Sequence, residues 1–249
     1  DASFILFKLK YLTMRSWIYI LVIGLTMSAC TKSEQVGTQI SILEDRTEED
    51  FIAKPNPIQI KQKFGLDENS WRSAIFRHGH ISSLVHNERA EVKLIGGTAL
   101  LGNQLERDAE VEAFYKRIDA VLNNQIDTGD YPYSSIWKPI VEELVYLQKD
   151  TINSTELYVY SDLQENNSEW FSVHRYKDML QLERQPELVK ELFLKQASRL
   201  KGANSTIKVI VVYQPRTIKE DKAFALMKAL YTSIFKELNL PIEFVSNLN

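Results

Sequence analysis

Short runs rich in β-branched and apolar residues recur along the chain, and they alternate with longer stretches whose apolar positions have helical spacing. The short runs predict strands over residues 40–45, 73–82, 89–95, 156–160, 207–213 and 242–245. A polar segment around Asn87 separates the second run from the third, which favours a β-hairpin. The pattern therefore predicts a sheet in which two consecutive strands pair directly.

The stretches with helical spacing predict helices over residues 55–63, 111–122, 136–147, 186–200 and 219–238. In the fourth of these, the residues expected to share the buried face are Val189, Leu192, Phe193, Ala197 and Leu200. Strands that alternate with helices predict an α/β fold, here a Rossmann-like, three-layer α/β/α domain. Its sheet is expected to be mostly parallel, with one antiparallel strand from the hairpin.

The amino-terminal segment has a different pattern. Arg15 precedes an apolar run over residues 17–25, which is shorter than the ~20 residues that a transmembrane helix needs. A basic residue, a short apolar run and small residues together are typical of a secretory signal. The sequence that follows, Leu25-Thr26-Met27-Ser28-Ala29-Cys30, resembles the bacterial lipobox, in which the cysteine accepts a lipid. Cys30 is also the only cysteine in the chain.

This resemblance implies a bacterial lipoprotein whose true start is Met14. We expect a signal peptide region over residues 1–29, a lipidated Cys30 with a tether over 30–38, and one domain over 39–249. The expected location is the cell envelope, with the lipid as the only attachment to the membrane. Thr31 is compatible with sorting to the outer membrane. The leader carries three basic side chains and one acidic one, so the net charge of −3 becomes −5 without it, which argues against nucleic-acid binding.

Two of the predicted strands lead into an aspartate at the edge of the sheet where α/β proteins bind ligands. Asp45 ends the run 40–45, and Asp162 comes shortly after the run 156–160. Two carboxylates at one edge repel each other unless a cation or a proton lies between them. A hard divalent cation such as Mg²⁺ suits this position. The structural alternative is that each aspartate caps the helix that follows it.

The order of these elements resembles the von Willebrand factor A-like (vWA) family over residues 38–249. In that family an apolar first strand ends in Asp-x-Ser-x-Ser, and a second Asp follows a central strand. A Ser or Thr that precedes a helix completes the metal-ion-dependent adhesion site.

Carried onto this chain, the resemblance implies a metal site formed by residues with oxygen ligands, namely Asp45, Thr47, Glu49, Ser134 and Asp162. Ser135 is the alternative to Ser134 for the central hydroxyl. Glu49 departs from the family because it stands where the second Ser is expected, and it is longer and charged. The implied cofactor is Mg²⁺, with Mn²⁺ or Ca²⁺ as alternatives.

The resemblance implies a module that binds an envelope or surface protein, and it assigns no catalytic residue. Two other functions stay open. An Mg²⁺-dependent hydrolase of the haloacid dehalogenase type also has an Asp after its first strand, but it expects a second Asp where this chain has Thr47. The other alternative is a metal-free scaffold that retains only the fold.

His78 and His80 fall on one face of the predicted strand 73–82, with His86 in the turn beyond. A zinc site formed by these side chains is one interpretation. A polar outer face of the hairpin is the interpretation that the sequence favours.

Overall fold

A computed structural model describes residues 35–47, 51–81, 89–100, 102–124, 133–149, 152–200 and 206–248. The predicted signal peptide region, Cys30 and most of the predicted tether lie outside the described residues. So do Glu49, His86 and the polar segment around Asn87. Within the described ranges, no helix is long and apolar enough to cross a membrane.

The centre of the domain is a single six-stranded sheet. Its strands are β1 (Gln35–Asp45), β2 (Ser73–Ile81), β3 (Arg89–Leu94), β4 (Ile152–Tyr160), β5 (Ile207–Val212) and β6 (Ile242–Val245). Their order across the sheet is β3-β2-β1-β4-β5-β6. All neighbours are parallel except β2 and β3, which form the antiparallel pair. The predicted sheet, mostly parallel with one antiparallel hairpin strand, is confirmed.

Helices cover both faces of the sheet, which gives the three layers of a Rossmann-like fold. They are α1 (Pro57–Lys63), α2 (Gln104–Leu122), α3 (Trp137–Leu147), α4 (Tyr176–Arg184), α5 (Pro186–Gln196) and α6 (Ile218–Glu237). Apolar side chains of α1 and α2 pack on one face, against alternate strand residues such as Ile42 and Tyr158. Those of α3 to α6 pack on the opposite face, against Leu43 and Val159. Neighbouring strand residues therefore point into different cores, as the period of two in a β-strand requires.

The structure departs from the sequence prediction at several places. Helix α2 begins at Gln104 rather than at residue 111, and β4 begins at Ile152 rather than at residue 156. β1 begins at Gln35 rather than at residue 40. Helix α5, predicted over residues 186–200, ends at Gln196. Leu192 on this helix is 38 % exposed, because the buried stripe of the helix comprises only Val189 and Phe193. Helix α4 was not predicted, since Leu182 is its only fully buried apolar residue and its sequence is mostly polar. Neither helix propensity nor the spacing of apolar residues is sufficient to predict such a helix.

A buried ionic network joins α3 to the strands beneath it. The Glu143 carboxylate of α3 is 2 % exposed, and it accepts hydrogen bonds from Arg77 Nε at 2.6 Å and from Arg89 Nε at 3.2 Å. Ser41 Oγ of β1 donates to the same carboxylate at 2.8 Å. Arg77 also stacks over the ring of Tyr146, 3.5 Å from its centroid. Because charge buried in this way must be paired, the network fixes the position of α3 against β1 and β2.

Candidate functional site

The carboxyl ends of β1 and β4 meet because the two strands are parallel neighbours in the middle of the sheet. Asp45, at the end of β1, is 3 % exposed. Its Oδ1 atom accepts hydrogen bonds from the backbone N–H of Thr47 at 3.0 Å and from the Thr47 hydroxyl at 2.6 Å. Its Oδ2 atom accepts a hydrogen bond from the hydroxyl of Ser161, just beyond β4, at 2.8 Å. Asp45 thus ties the two central strands together at the edge where ligands bind.

Ser134 reaches this edge from a distant part of the chain. Its Oγ lies 3.4 Å from Thr47 Oγ1, although 87 positions separate the two residues. An antiparallel bridge to Asn166 holds Ser134 in place, with Ser134 N to Asn166 O at 3.1 Å and the reverse bond at 2.8 Å. Ser134 is not the cap of the following helix, because α3 begins at Trp137 and Ile136 occupies the N-cap position.

Asp162 lies at the same edge, after Ser161, and is 5 % exposed. Its two carboxylate oxygens accept hydrogen bonds from the backbone N–H and the side-chain amide of Gln164, at 2.8 and 2.6 Å. The charges of Glu165, Asp162 and Asp45 all raise the pKa of Tyr231, after the larger effect of that phenol's burial. The structure therefore brings Asp45, Thr47, Ser134 and Asp162 to one edge of the sheet, whereas Glu49 lies outside the described residues.

Glu165 is a site residue that the sequence did not indicate. It is 0 % exposed, and its Oε2 atom accepts hydrogen bonds from the backbone N–H groups of Ile136 and Trp137, both at 2.8 Å. Burial raises the pKa of Glu165 to about 7, and the charge of Asp45 adds to the rise, although the N–H donors oppose it. No spacing rule marks this residue, because it meets the start of α3 only through the folded loop after β4.

We call Asp45, Thr47, Ser134, Asp162 and Glu165 the oxygen cluster. Its ligand atoms are carboxylate and hydroxyl oxygens, which are the ligands that Mg²⁺, Mn²⁺ and Ca²⁺ take in proteins. Two of its carboxylates are almost fully removed from water: Asp45 ends β1, and Asp162 lies two residues beyond the end of the adjacent β4. The ligand types of this set therefore suit a hard divalent cation. Thr47 and Ser134 would supply neutral oxygens, and the carboxylates would balance the charge of the ion.

A second group of potential ligands lies on the opposite face of the same sheet edge. Glu44, His78 and His80 offer one ligand atom each, and these atoms lie within 4.8 Å of one another. The group, which we call the histidine cluster, could hold a metal ion. His78 is 3 % exposed, so the prediction that these histidines form a polar outer face of the hairpin was wrong. The histidines lie on the face of the sheet that α1 and α2 cover. Nothing in the sequence pattern joined Glu44 to them.

Burial and nearby charges act on the ionisable groups of the histidine cluster. Burial would raise the pKa of Glu44, but the hydrogen bond to His78 and the charge of Arg46 hold it below the ordinary value. Burial also lowers the pKa of His80 to about 4, and the charges of His78 and Arg46 add to that effect. A carboxylate beside an uncharged imidazole is the protonation state that a metal requires of its ligands.

Comparison of the chain with models of protein families and with curated proteins found no match.

Proposed function

We propose that the domain is a binding module of the vWA-like type, which holds a protein partner through a divalent cation at the oxygen cluster. The observation that carries the proposal is the connected set of Asp45, Thr47 and Ser134, in which oxygen atoms from two distant segments meet at the carboxyl edge of the sheet. Asp162 adds a second carboxylate there. In this proposal Mg²⁺ is the resident ion and Cys30 carries the lipid that anchors the module in the cell envelope.

The chemistry of the ion explains why such a site would bind a partner. Mg²⁺ supplies a concentrated positive charge that attracts a carboxylate, and it commonly keeps ligand positions that an incoming group can fill. A carboxylate from the partner would then complete the coordination shell. On this chain, Thr47 and Ser134 would be neutral ligands, so they add no negative charge that would repel the incoming carboxylate.

The surface next to the oxygen cluster also suits a protein partner. A cleft of about 580 Å³ lies beside Ser134 and is lined by Tyr133, Lys138 and Trp170, among others. Tyr133 is 49 % exposed there. Aromatic side chains that are partly open to solvent are enriched in protein interfaces. The cleft thus offers an apolar contact beside the proposed ion.

The haloacid dehalogenase alternative receives less support from the residues present. Such an enzyme uses a carboxylate oxygen of Asp45 as the nucleophile and expects a second Asp two residues on. That position is taken by Thr47, whose hydroxyl donates a hydrogen bond to Asp45 Oδ1 at 2.6 Å.

The test is a calorimetric titration of the full chain, purified in detergent, with Mg²⁺ and with Mn²⁺. We expect saturable binding by the wild type and by the control Asp67→Asn, whose carboxylate is exposed on another part of the domain. Asp45→Asn and Asp162→Asn should each abolish binding while circular dichroism shows a folded protein. A flat wild-type titration would refute the cation-dependent mechanism. Turnover of a generic phosphate ester that Asp45→Asn abolishes would instead favour the hydrolase.

A further inference from the structure

Three neighbouring strands place polar side chains in one row on the face that α1 and α2 cover. Glu44 of β1 is in register with His80 of β2 on one side and with Tyr160 of β4 on the other. His78 precedes His80 by two residues and so points to the same face. The rings of the two histidines are in edge-to-face contact, with centroids 4.7 Å apart. This arrangement follows from the register of the sheet and does not involve the oxygen cluster.

We propose that Glu44, His78 and His80 form a zinc site with three protein ligands. Zn²⁺ takes these ligand types, imidazole nitrogen and carboxylate oxygen, and a site with two histidines and one glutamate leaves a fourth position for water or another group. The inference is independent of the proposed cation site, because the two clusters lie on opposite faces of the sheet.

The distances within the cluster are compatible with a coordination shell. His78 Nε2 lies 3.3 Å from Glu44 Oε2, which is long for a charge-assisted hydrogen bond. Two ligands at ~2.0–2.1 Å from a tetrahedral ion lie roughly 3.3 Å apart, so the same separation is the normal edge of a zinc site. The third ligand atom is close enough to join them, since all three lie within 4.8 Å of one another.

Several polar atoms around the cluster are buried without a hydrogen-bond partner among the described residues. They are His80 Nδ1, the Tyr160 hydroxyl and Arg46 Nε. Buried polar atoms are nearly always satisfied, so a group of such atoms at one place indicates that an ion or water belongs there. A zinc ion would use an imidazole nitrogen of His80, and the water it carries would offer the Tyr160 hydroxyl a partner.

Arg46 is compatible with the ion. Its Nη2 atom donates to Glu44 Oε2 at 3.0 Å. Carboxylates that bind metals are commonly held by a second hydrogen bond of this kind, which orients them. The guanidinium also places a positive charge beside Glu44, which would favour an anionic group over a neutral one as a further ligand of the ion.

The experiment is a zinc titration of the metal-free full chain in competition with a chromophoric chelator. We expect one tight site in the wild type, in Asp45→Asn and in His174→Asn, a control that removes an exposed histidine elsewhere. Glu44→Gln and His80→Asn should bind zinc more than about 100-fold more weakly. Loss of an outer-shell contact typically lowers metal affinity by about 10–100-fold, and loss of a ligand should lower it further. His80→Cys supplies another zinc ligand and should restore binding relative to His80→Asn.

Wild-type protein that takes up no zinc, or a His80→Asn variant that binds as tightly as the wild type, would overturn the proposal. Failure of the cation site alone would leave zinc binding intact, so the Asp45→Asn protein separates the two proposals. If His80→Asn does not fold, the cobalt-substituted wild type decides. A strong visible absorption band would support a tetrahedral site, whereas the weak band of an octahedral ion would contradict it.

Discussion

The replacement of Glu165 by Gln should change how the stability of the domain depends on pH. Glu165 is fully buried, and its carboxylate accepts the first N–H groups of α3, from Ile136 and Trp137. A glutamine has nearly the same shape, and its amide oxygen can accept both bonds. The variant therefore removes the titration of this side chain while it keeps the contacts at the start of the helix.

The magnitude follows from the pKa of Glu165, which burial raises from 4.5 to about 7. A group whose folded-state pKa is raised contributes stability that is fully present below its unfolded pKa and is lost as the pH rises through the folded pKa. At about 1.4 kcal/mol per pKa unit, ionisation of Glu165 should cost roughly 3 kcal/mol. This loss occurs between about pH 4.5 and about pH 7, and Glu165→Gln should be free of it.

Other groups titrate in neighbouring windows with the opposite sign. The lowered pKa of His80, about 4, contributes stability that is present above 6.5 and is lost as the pH falls. The lowered pKa of Glu44 acts in the same direction below 4.5. The quantity to compare is therefore the difference in unfolding free energy between variant and wild type, in which these contributions cancel.

Urea unfolding followed by tryptophan fluorescence measures this difference at a series of pH values. The variant should gain roughly 3 kcal/mol relative to the wild type between about pH 4 and about pH 8. Glu169→Gln, an exposed side chain in the same loop, is the matched control and should follow the wild type throughout. A difference between Glu165→Gln and wild type that is constant across this range would refute a raised pKa for Glu165.

Three further changes have defined outcomes. Glu143→Ala leaves Arg77 buried without its main partner and should destabilise the domain by about 4 kcal/mol. The control Glu112→Ala, at an exposed ion pair, should leave the stability unchanged. Equal effects of the two variants would contradict the buried network. Trp137→Ala empties a 0 % exposed site among aromatic rings and should cost about 4 kcal/mol, and a loss below about 1 kcal/mol would show that the core repacks there. Cys30→Ser should abolish incorporation of labelled palmitate and release the protein from the membrane fraction, while label retained by this variant would contradict the lipid anchor.

The local pattern of the sequence was sufficient to predict the layers of the fold. Runs rich in β-branched residues alternate with stretches of helical spacing, and this pattern predicted the α/β class and the hairpin of β2 and β3. It also predicted the last strand, Ile242–Val245, with its observed bounds. These features depend on which residues are apolar and at what spacing, and that information is local. The pattern failed where a helix buries little, as in α4, whose sequence has too few apolar residues to reveal it.

The meeting of Asp45 with Ser161, and of Thr47 with Ser134, was decided by tertiary structure. The sequence indicated that aspartates end strands, and the rule for parallel sheets indicated the edge at which they lie. It could not indicate that Glu165 enters the start of α3, or that Glu44 joins the two histidines. Such contacts depend on strand order and register, and a shift of one residue would turn each side chain to the opposite face. The sequence thus determined which chemical groups the domain carries, and only the pairing of distant strands decided which of them share a site.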